Sequence, residues 1–362
     1  LNFQFSGEEL ALQSEARRFL EAQGTLKLAR EMLDGRGEAQ AARLWNQVAA
    51  LGWPAASIPE AYGGLGLSHV SLCAIAEEVG RAAAPLPMMA SVYLASEALV
   101  IAGSEAQKSQ WLSGIAAGNI IGTLALAGDF TVREGRLSGE VAPIPYALAA
   151  GIALVTAKGE GSDTGLYLVD LTEAGVQRMR IMTIDESSPH GKLVLSNVPC
   201  ERLGSAGDGQ HVLDEVKRRA AVLVAFEQVG GAEACLDMAV AYARQRRSFG
   251  KVIASYQAIK HRLAEIYIKK ELARSNAYYA AWALSKQDAN LELAATTARV
   301  SATDAYEFAA AENIQVHGGF GFTWDADCQI HYRRSRLLAL ALGTISEWQD
   351  RLITAVDAKV AV

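Results

Sequence analysis

The chain has few of the residues that mark a disulfide-stapled or metal-held protein. Its four cysteines, Cys73, Cys200, Cys235 and Cys328, are far apart and include no C-x-x-C pair. That argues against a disulfide framework or a zinc site and fits a reducing cytoplasm. A basic excess is also missing: 34 Lys and Arg face 40 Asp and Glu, for a net charge of −6. Nucleic acid and anionic membranes are poor partners for such a chain, because both select a basic face. Long apolar runs are absent. The richest, at 220–226 and 337–342, fall far short of the roughly 20 residues that span a bilayer. The opening stretch LNFQFSGEELALQSEARRFL mixes charges with apolar residues at helical spacing, so no secretory signal is expected. His69, His190, His211, His261 and His331 form no group with metal-ligand spacing, and no G-x-S-x-G elbow offers a serine nucleophile. No metal ligand is expected.

What is present suits a folded protein of two or three domains, since 51% of the 362 residues are hydrophobic. Residues 6–118 read as mostly helical. Leu10, Leu12, Ala16 and Leu20 recur at near-helical spacing, and 71–79, 90–101 and 105–117 continue the pattern. The stretch GWPAASIPEAYGGLGLSH at 52–69 interrupts it as an ordered loop. From about Gly118 to Gly204, β-prone runs alternate with turn signals: IIGTLAL, GLYLVDL, GVQRMRIM and GKLVLSNV. Helical periodicity then returns at about 210–245, 253–285, 289–315, 326–340 and 345–358, with alanine-rich faces suited to a four-helix bundle. The reading is an α+β chain: an N-terminal helical domain at 1–118, a middle β domain at 119–205 and a C-terminal helical bundle at 206–362.

Two short segments carry candidate chemistry. RQRRSFGK at 244–251 closes one long helix and precedes the next. Its arginines can grip a diphosphate and Phe249 can cover an aromatic ring, with Gln257 near enough to add an amide hydrogen bond. The same residues also read as a solvated basic helix end. QVHGGFGF at 315–322 places three glycines within four residues at a helix end, where backbone N–H groups can approach a ligand. A glycine C-cap and turn is the other reading. It is not a Rossmann fingerprint, because it follows a helix.

LGWPAASIPEAYGGLGLSHVSLCAIAEEVGRA at 51–82, VPCERLGSAGDG at 198–209, RRSFGKVIASYQAIKHRLAE at 246–265 and ENIQVHGGFGFTWD at 312–325 together resemble the acyl-CoA dehydrogenase family. The resemblance covers nearly the whole chain in order, and the family fold has the same helix, β, helix sequence of domains. It implies an FAD shared between subunits. By resemblance, Arg246, Phe249 and Gln257, with Gln315, Val316, His317, Gly318 and Gly319, hold the ADP half of the flavin.

The other half of the family's flavin site uses a T-E-P-x-A-G-S-D-like segment, then a tryptophan and a hydroxyl residue. The stretch LALAGDFTVREGRLSGEVAPIPYALAAG at 124–151 lacks both and is shortened. By the resemblance, the family's catalytic glutamate precedes a Gly-Thr pair in the last helical region, where this chain has Leu342, or Gly343 if the turn is aligned on Ser346-Glu347, and neither register supplies a carboxylate. A subset places it at the position of Ala220, followed by an arginine where this chain has Ala221, with Arg218 and Arg219 nearby. No catalytic residue is therefore assigned. The resemblance implies a base-less subunit of a heteromeric α2β2 acyl-CoA dehydrogenase. A homologous partner subunit would carry the glutamate, the substrate would be an acyl-CoA with a steroid or other bulky side chain, and electron-transfer flavoprotein would be the acceptor. A homotetramer with a displaced base such as Glu347 or Glu227, and a non-enzymatic acyl-CoA-binding subunit, are the alternatives.

Overall fold

The structure, a computed structural model, describes residues 4–159 and 164–360. Helix α1 (Gly7–Gln23) opens with a capping box. Ser6 Oγ accepts from Glu9 N, and Ser6 N donates back to the Glu9 carboxylate at 2.7 Å. Gly24, at φ 61°, ends α1 in the left-handed region and starts α2 (Thr25–Leu33) without a break. Helices α3 (Glu38–Ala50) and α4 (His69–Arg81) flank the expected ordered loop, which contains one 3-10 turn at Glu60–Tyr62.

The helix expected at 90–101 is in fact two elements. Met88–Ser96 is π-helical, and α5 (Glu97–Ala102) follows directly. Every residue of the π segment is buried, so its apolar run carries no periodicity that separates one helix type from another. Ser96 Oγ donates to Val92 O at 2.9 Å, which satisfies one carbonyl in this wider turn. Helix α6 (Glu105–Ala116) begins with a second capping box, Ser104 with Gln107.

The β region forms one sheet. Its strands are β1 (Gly122–Ala125), β2 (Asp129–Arg133), β3 (Arg136–Pro145), β4 (Ile152–Lys158), β5 (Thr164–Asp170), β6 (Val176–Ile181), β7 (His190–Pro199) and β8 (Glu201–Leu203). Their order is β6-β7-β3-β2-β4-β5-β8, with β1 parallel to β4. Strands β2 to β4 fall largely in the stretch that gave no strand in the sequence reading. Glu134 and Gly135, both at positive φ, make the two-residue turn that pairs Arg133 with Arg136. Alternate residues of β2 are buried, so Phe130 and Val132 join Leu137, Val155, Val169 and Leu193 in the sheet's core.

Helices return as α7 (Gly209–Gln245), a small hairpin of β9 (Arg247–Ser248) and β10 (Lys251–Val252), α8 (Gln257–Lys286), α9 (Leu291–His317), α10 (Cys328–Leu340) and α11 (Ile345–Val360). Two compact units result. One comprises Leu1–Asp34, His69–Ala84 and Ala221–Val362; the other comprises Gly35–Ser68 and Pro85–Ala220.

In the first unit, small residues let helices touch closely. Ala273, Ala277, Ala280 and Ala281 of α8 and Ala294, Ala295, Ala298, Ala302 and Ala305 of α9 are all buried. The tightest crossing is between α4 and α7. A Cβ on Gly80 would stand 1.9 Å from Glu227 O, and one on Gly230 would stand 1.8 Å from Glu77 O. Only glycine fits at either position, because the obstructing atoms are backbone. Phe5 then stacks on Phe226 at 5.7 Å and meets Tyr278 edge-on at 4.7 Å. Each such aromatic pair adds about 1 kcal/mol beyond its buried area.

Candidate functional site

The two segments singled out above lie more than sixty residues apart in sequence yet meet in one place. Val316, near the end of α9, packs with Ala239 and Ala243 of α7 in a small apolar core. Tyr242, Ile253, Ala254, Ile259 and Leu263 close around it. This core fixes the end of α7, the β9–β10 hairpin, the start of α8 and the end of α9 to one another. Tyr242 stacks on the His317 ring at 4.2 Å, and Phe320 lies parallel to Tyr242 at 6.3 Å. His317 is oriented by a 2.7 Å contact between Nδ1 and Asn313 O. The hairpin is held from both ends: Ile253 N donates to Arg246 O at 2.8 Å, and Tyr256 OH donates to Ser248 O at 2.9 Å.

The polar groups on this platform are uncommitted. The side chains of Arg246, Gln257 and Gln315 are exposed, and among the described residues none makes a side-chain hydrogen bond or ion pair. Gly318 sits at φ 60°, and a Cβ at Gly318 or Gly319 would meet nothing within 4 Å, so the backbone there borders open space. Phe249 is 95% exposed and has φ 50°, an unusual pairing of bare aromatic ring and left-handed backbone. Strain of this kind costs about 1–3 kcal/mol and clusters where a ligand is held. A guanidinium, two amides, open glycine backbone and a bare ring suit an anionic group attached to an aromatic heterocycle.

The turn between α10 and α11 is built differently. Leu342 is 1% exposed, Gly343 has φ 105°, and Trp348 Nε1 donates to Leu342 O at 3.2 Å. Beneath it, Arg299 of α9 is fully buried and donates to Leu338 O, at 2.5 Å, and to Ala339 O, at 3.1 Å. Its other terminal nitrogen donates to Gln228 Oε1 at 2.9 Å. Burial lowers the Arg299 guanidinium to about 10, so it stays cationic at neutral pH and meets the negative end of α10.

Residues 6–119 match the description "Acyl-CoA dehydrogenase, N-terminal domain", and residues 207–356 match "Acyl-CoA dehydrogenase, C-terminal domain". Acyl-CoA dehydrogenase IpdE2 of Mycobacterium tuberculosis is 32% identical over 306 residues, which cover 84% of this chain and 84% of that protein. The chain belongs to the acyl-CoA dehydrogenase family. Among solved structures, a variant of the Tcur3481-Tcur3483 steroid ACAD superposes with a TM-score of 0.86 at 27% identity, covering 98% of this chain and 99% of that one. The ChsE4-ChsE5 complex from Mycobacterium tuberculosis does so with a TM-score of 0.86 at 23% identity, covering 99% of each chain. The helix, β sheet, helix order of this acyl-CoA dehydrogenase is the one expected from the sequence.

Each carboxylate considered as a base in this acyl-CoA dehydrogenase has a place in the structure. Glu347 closes a capping box on α11: Thr344 N donates to its Oε2 at 2.6 Å, and Glu347 N donates to Thr344 Oγ1 at 3.3 Å. Glu347→Ala is expected to cost about 1 kcal/mol of stability. It should leave dehydrogenase activity unchanged, and a thermal melt beside an activity assay checks both. Glu227 is 3% exposed on α7, and Ala220 and Ala221 are fully buried. Arg218 pairs with Glu215 at 2.7 Å, and Arg219 bridges Glu215, at 2.9 Å, and Glu97, at 3.1 Å. Both arginines thus serve carboxylates of their own unit. Among the described residues, no group of His, Cys, Asp and Glu is arranged to hold a metal ion.

Sequence reasoning missed Tyr242 and Arg299. Tyr242 lies three residues before the end of α7, and its stacking on His317 has no local signal. Arg299 was findable, because a lone arginine between Ala295 and Ala302 on an apolar helix face needs acceptors.

Proposed function

We propose that this chain is the flavin-sharing, base-less subunit of an FAD-dependent acyl-CoA dehydrogenase that introduces an α,β double bond into a CoA thioester. What supports the reading is that the segment carrying Arg246, Phe249 and Gln257 and the segment carrying Gln315, His317, Gly318 and Gly319 join at one apolar core containing Val316, with Arg246, Phe249, Gln257, Gln315, Gly318 and Gly319 exposed. In this reading Arg246 forks the diphosphate, Phe249 covers an aromatic ring of the ADP half, and Gln257 orients it by hydrogen bonding. Backbone N–H groups around Gly318 and Gly319 complete the grip. When bound, the flavin supplies the acceptor for the β-hydride.

Proton abstraction is assigned to a homologous partner subunit bearing the glutamate, since Leu342 has no ionisable group. Electron-transfer flavoprotein is the proposed acceptor of the electrons. The two-part names of the Tcur3481-Tcur3483 steroid ACAD and the ChsE4-ChsE5 complex support a heteromeric assembly, for which the proposed stoichiometry is α2β2. The former's description favours a thioester with a steroid side chain. A reducing, cytoplasmic setting suits the free cysteines, of which Cys73, Cys235 and Cys328 are buried. Among the described residues, no helix is long and apolar enough to cross a membrane.

Co-expression with the homologous subunit tests the proposal. The isolated chain is expected to purify colourless and inactive, and the co-expressed complex yellow and active with one flavin per pair. A yellow, active oligomer of this chain alone would replace the proposal with a homotetrameric enzyme.

A further inference from the structure

The Gly318–Phe322 turn is the most permissive backbone of the platform, since three of its five residues are glycines. Its upstream side is fixed by His317, which stacks on Tyr242. Its downstream side is fixed from α2. That helix is seated on the start of α10: Ala29 packs with Ile330 and Ala83, and Thr25 Oγ1 donates to Ala82 O at 2.9 Å. From this seat Arg30 reaches residues 324–327, the irregular stretch between the glycine turn and α10. Its Nη1 donates to Trp324 O, and its Nη2 donates to Asp325 O at 3.1 Å and to the Asp327 carboxylate. Asp34, which ends α2, accepts from Trp324 Nε1 at 3.1 Å.

Two details set this clamp apart from an ordinary surface ion pair. Asp327 occupies the N-cap position of α10, yet its side chain makes no capping bond and is turned to Arg30 instead. Trp324 is 44% exposed, so burial alone does not hold it in place; Arg30 holds its carbonyl and Asp34 its indole N–H. The ties continue into the turn itself. Gln329 Nε2 donates to Thr323 O at 3.1 Å and to Trp324 O at 3.0 Å. Thr323 in turn donates to Phe320 O from both N, at 2.9 Å, and Oγ1, at 2.7 Å.

We infer that Arg30 is a positioning residue for the platform: it fixes the exit of the glycine turn, so that backbone N–H groups around Gly318 and Gly319 meet a ligand already aligned. The inference rests on the proposed role of the platform as the ADP-side half of the flavin site. Arg30 touches no ligand in this role and acts only through 324–327. A turn with three glycines and a loose end samples many conformations that capture must remove, so freeing the exit weakens binding without deleting a contact. A guanidinium suits the task, because its rigid fork serves two carbonyls and a carboxylate together, where an ammonium offers a point charge on a flexible stem.

Two measurements on the full chain test this. Hydrogen exchange of the isolated chain reads the turn, and flavin fluorescence after dilution of the complex with the homologous subunit reads FAD release. Arg30→Ala is expected to lower amide protection across 318–326 by roughly tenfold while the middle of α9 is unchanged. It should speed FAD release by about three- to tenfold. Arg30→Lys, which keeps a charge for Asp327 but loses the fork, should fall between wild type and R30A in both. FAD release at the wild-type rate from R30A, where Arg246→Ala releases it faster, overturns the positioning role and leaves the platform standing. If Arg246→Ala also keeps its flavin, the platform reading falls and this inference with it. Protection lost across α9 and α10 as well would make Arg30 a general support of the fold and overturn the inference. Should R30A fail to fold, R30K carries the test, and unchanged FAD release from it overturns the positioning role.

Discussion

Arg246→Ala in the assembled enzyme is expected to weaken flavin retention by about 10- to 100-fold while leaving the melting of the isolated chain unchanged. The magnitude follows from losing the charge-assisted hydrogen bonds to a diphosphate proposed above, worth about 1.5–3 kcal/mol. The indifference of the isolated chain follows from the exposure of Arg246 and the absence, among the described residues, of any side-chain hydrogen bond or ion pair to it. Dilution of the purified complex, followed by flavin fluorescence, measures the first; a thermal melt measures the second. Arg246→Lys should recover part of the binding, since a point charge replaces a two-pronged donor. A variant that keeps its flavin as tightly as wild type would remove the platform from the flavin site.

Leu342→Glu, which places a carboxylate at the position that the proposal above assigns to the family's base, is expected to destabilise this chain by about 3 kcal/mol or more and to give no activity by itself. The side chain it replaces is 1% exposed, packed where Trp348 bonds the Leu342 carbonyl. An unpaired carboxylate placed there loses its hydration and either stays protonated or opens the turn. Leu342→Gln separates the two contributions: it introduces the polar group without the charge and should cost less. Chemical denaturation of each variant, with dehydrogenase assays in the presence and absence of the partner, provides the comparison. A well-folded L342E chain with turnover of its own would overturn the division of labour proposed above.

The sequence was most readable where periodicity was strong. The long helices α7, α8 and α9 each start and stop within a few residues of their expected limits, and both capping boxes of the N-terminal region lie in plain polar patterns. It was least readable in two places. Met88–Ser96 is apolar throughout, so nothing in it distinguishes a π-helix from an α-helix. The stretch at 124–151 was defined by the motif it lacks, and this hid the Glu134–Gly135 turn and the alternating burial that make it a hairpin. In the candidate site, exposed residues such as Arg246 and Gln257 came from a recognised pattern. Tyr242 depends on helices brought together in space and so left no trace in its neighbours. Glu347, considered in the sequence as a displaced base, lies in a hydrogen-bonded helix cap, which a T-x-x-E spacing announces.

The β9–β10 hairpin adds a point about timing. Its ladder, its two flanking hydrogen bonds and the left-handed residue at Phe249 are features of the chain's own backbone and side chains and require no ligand atom. The ordering entropy of that segment has thus already been spent. Capture on this platform should proceed without a slow rearrangement step, with single-phase kinetics that remain linear as ligand concentration is raised.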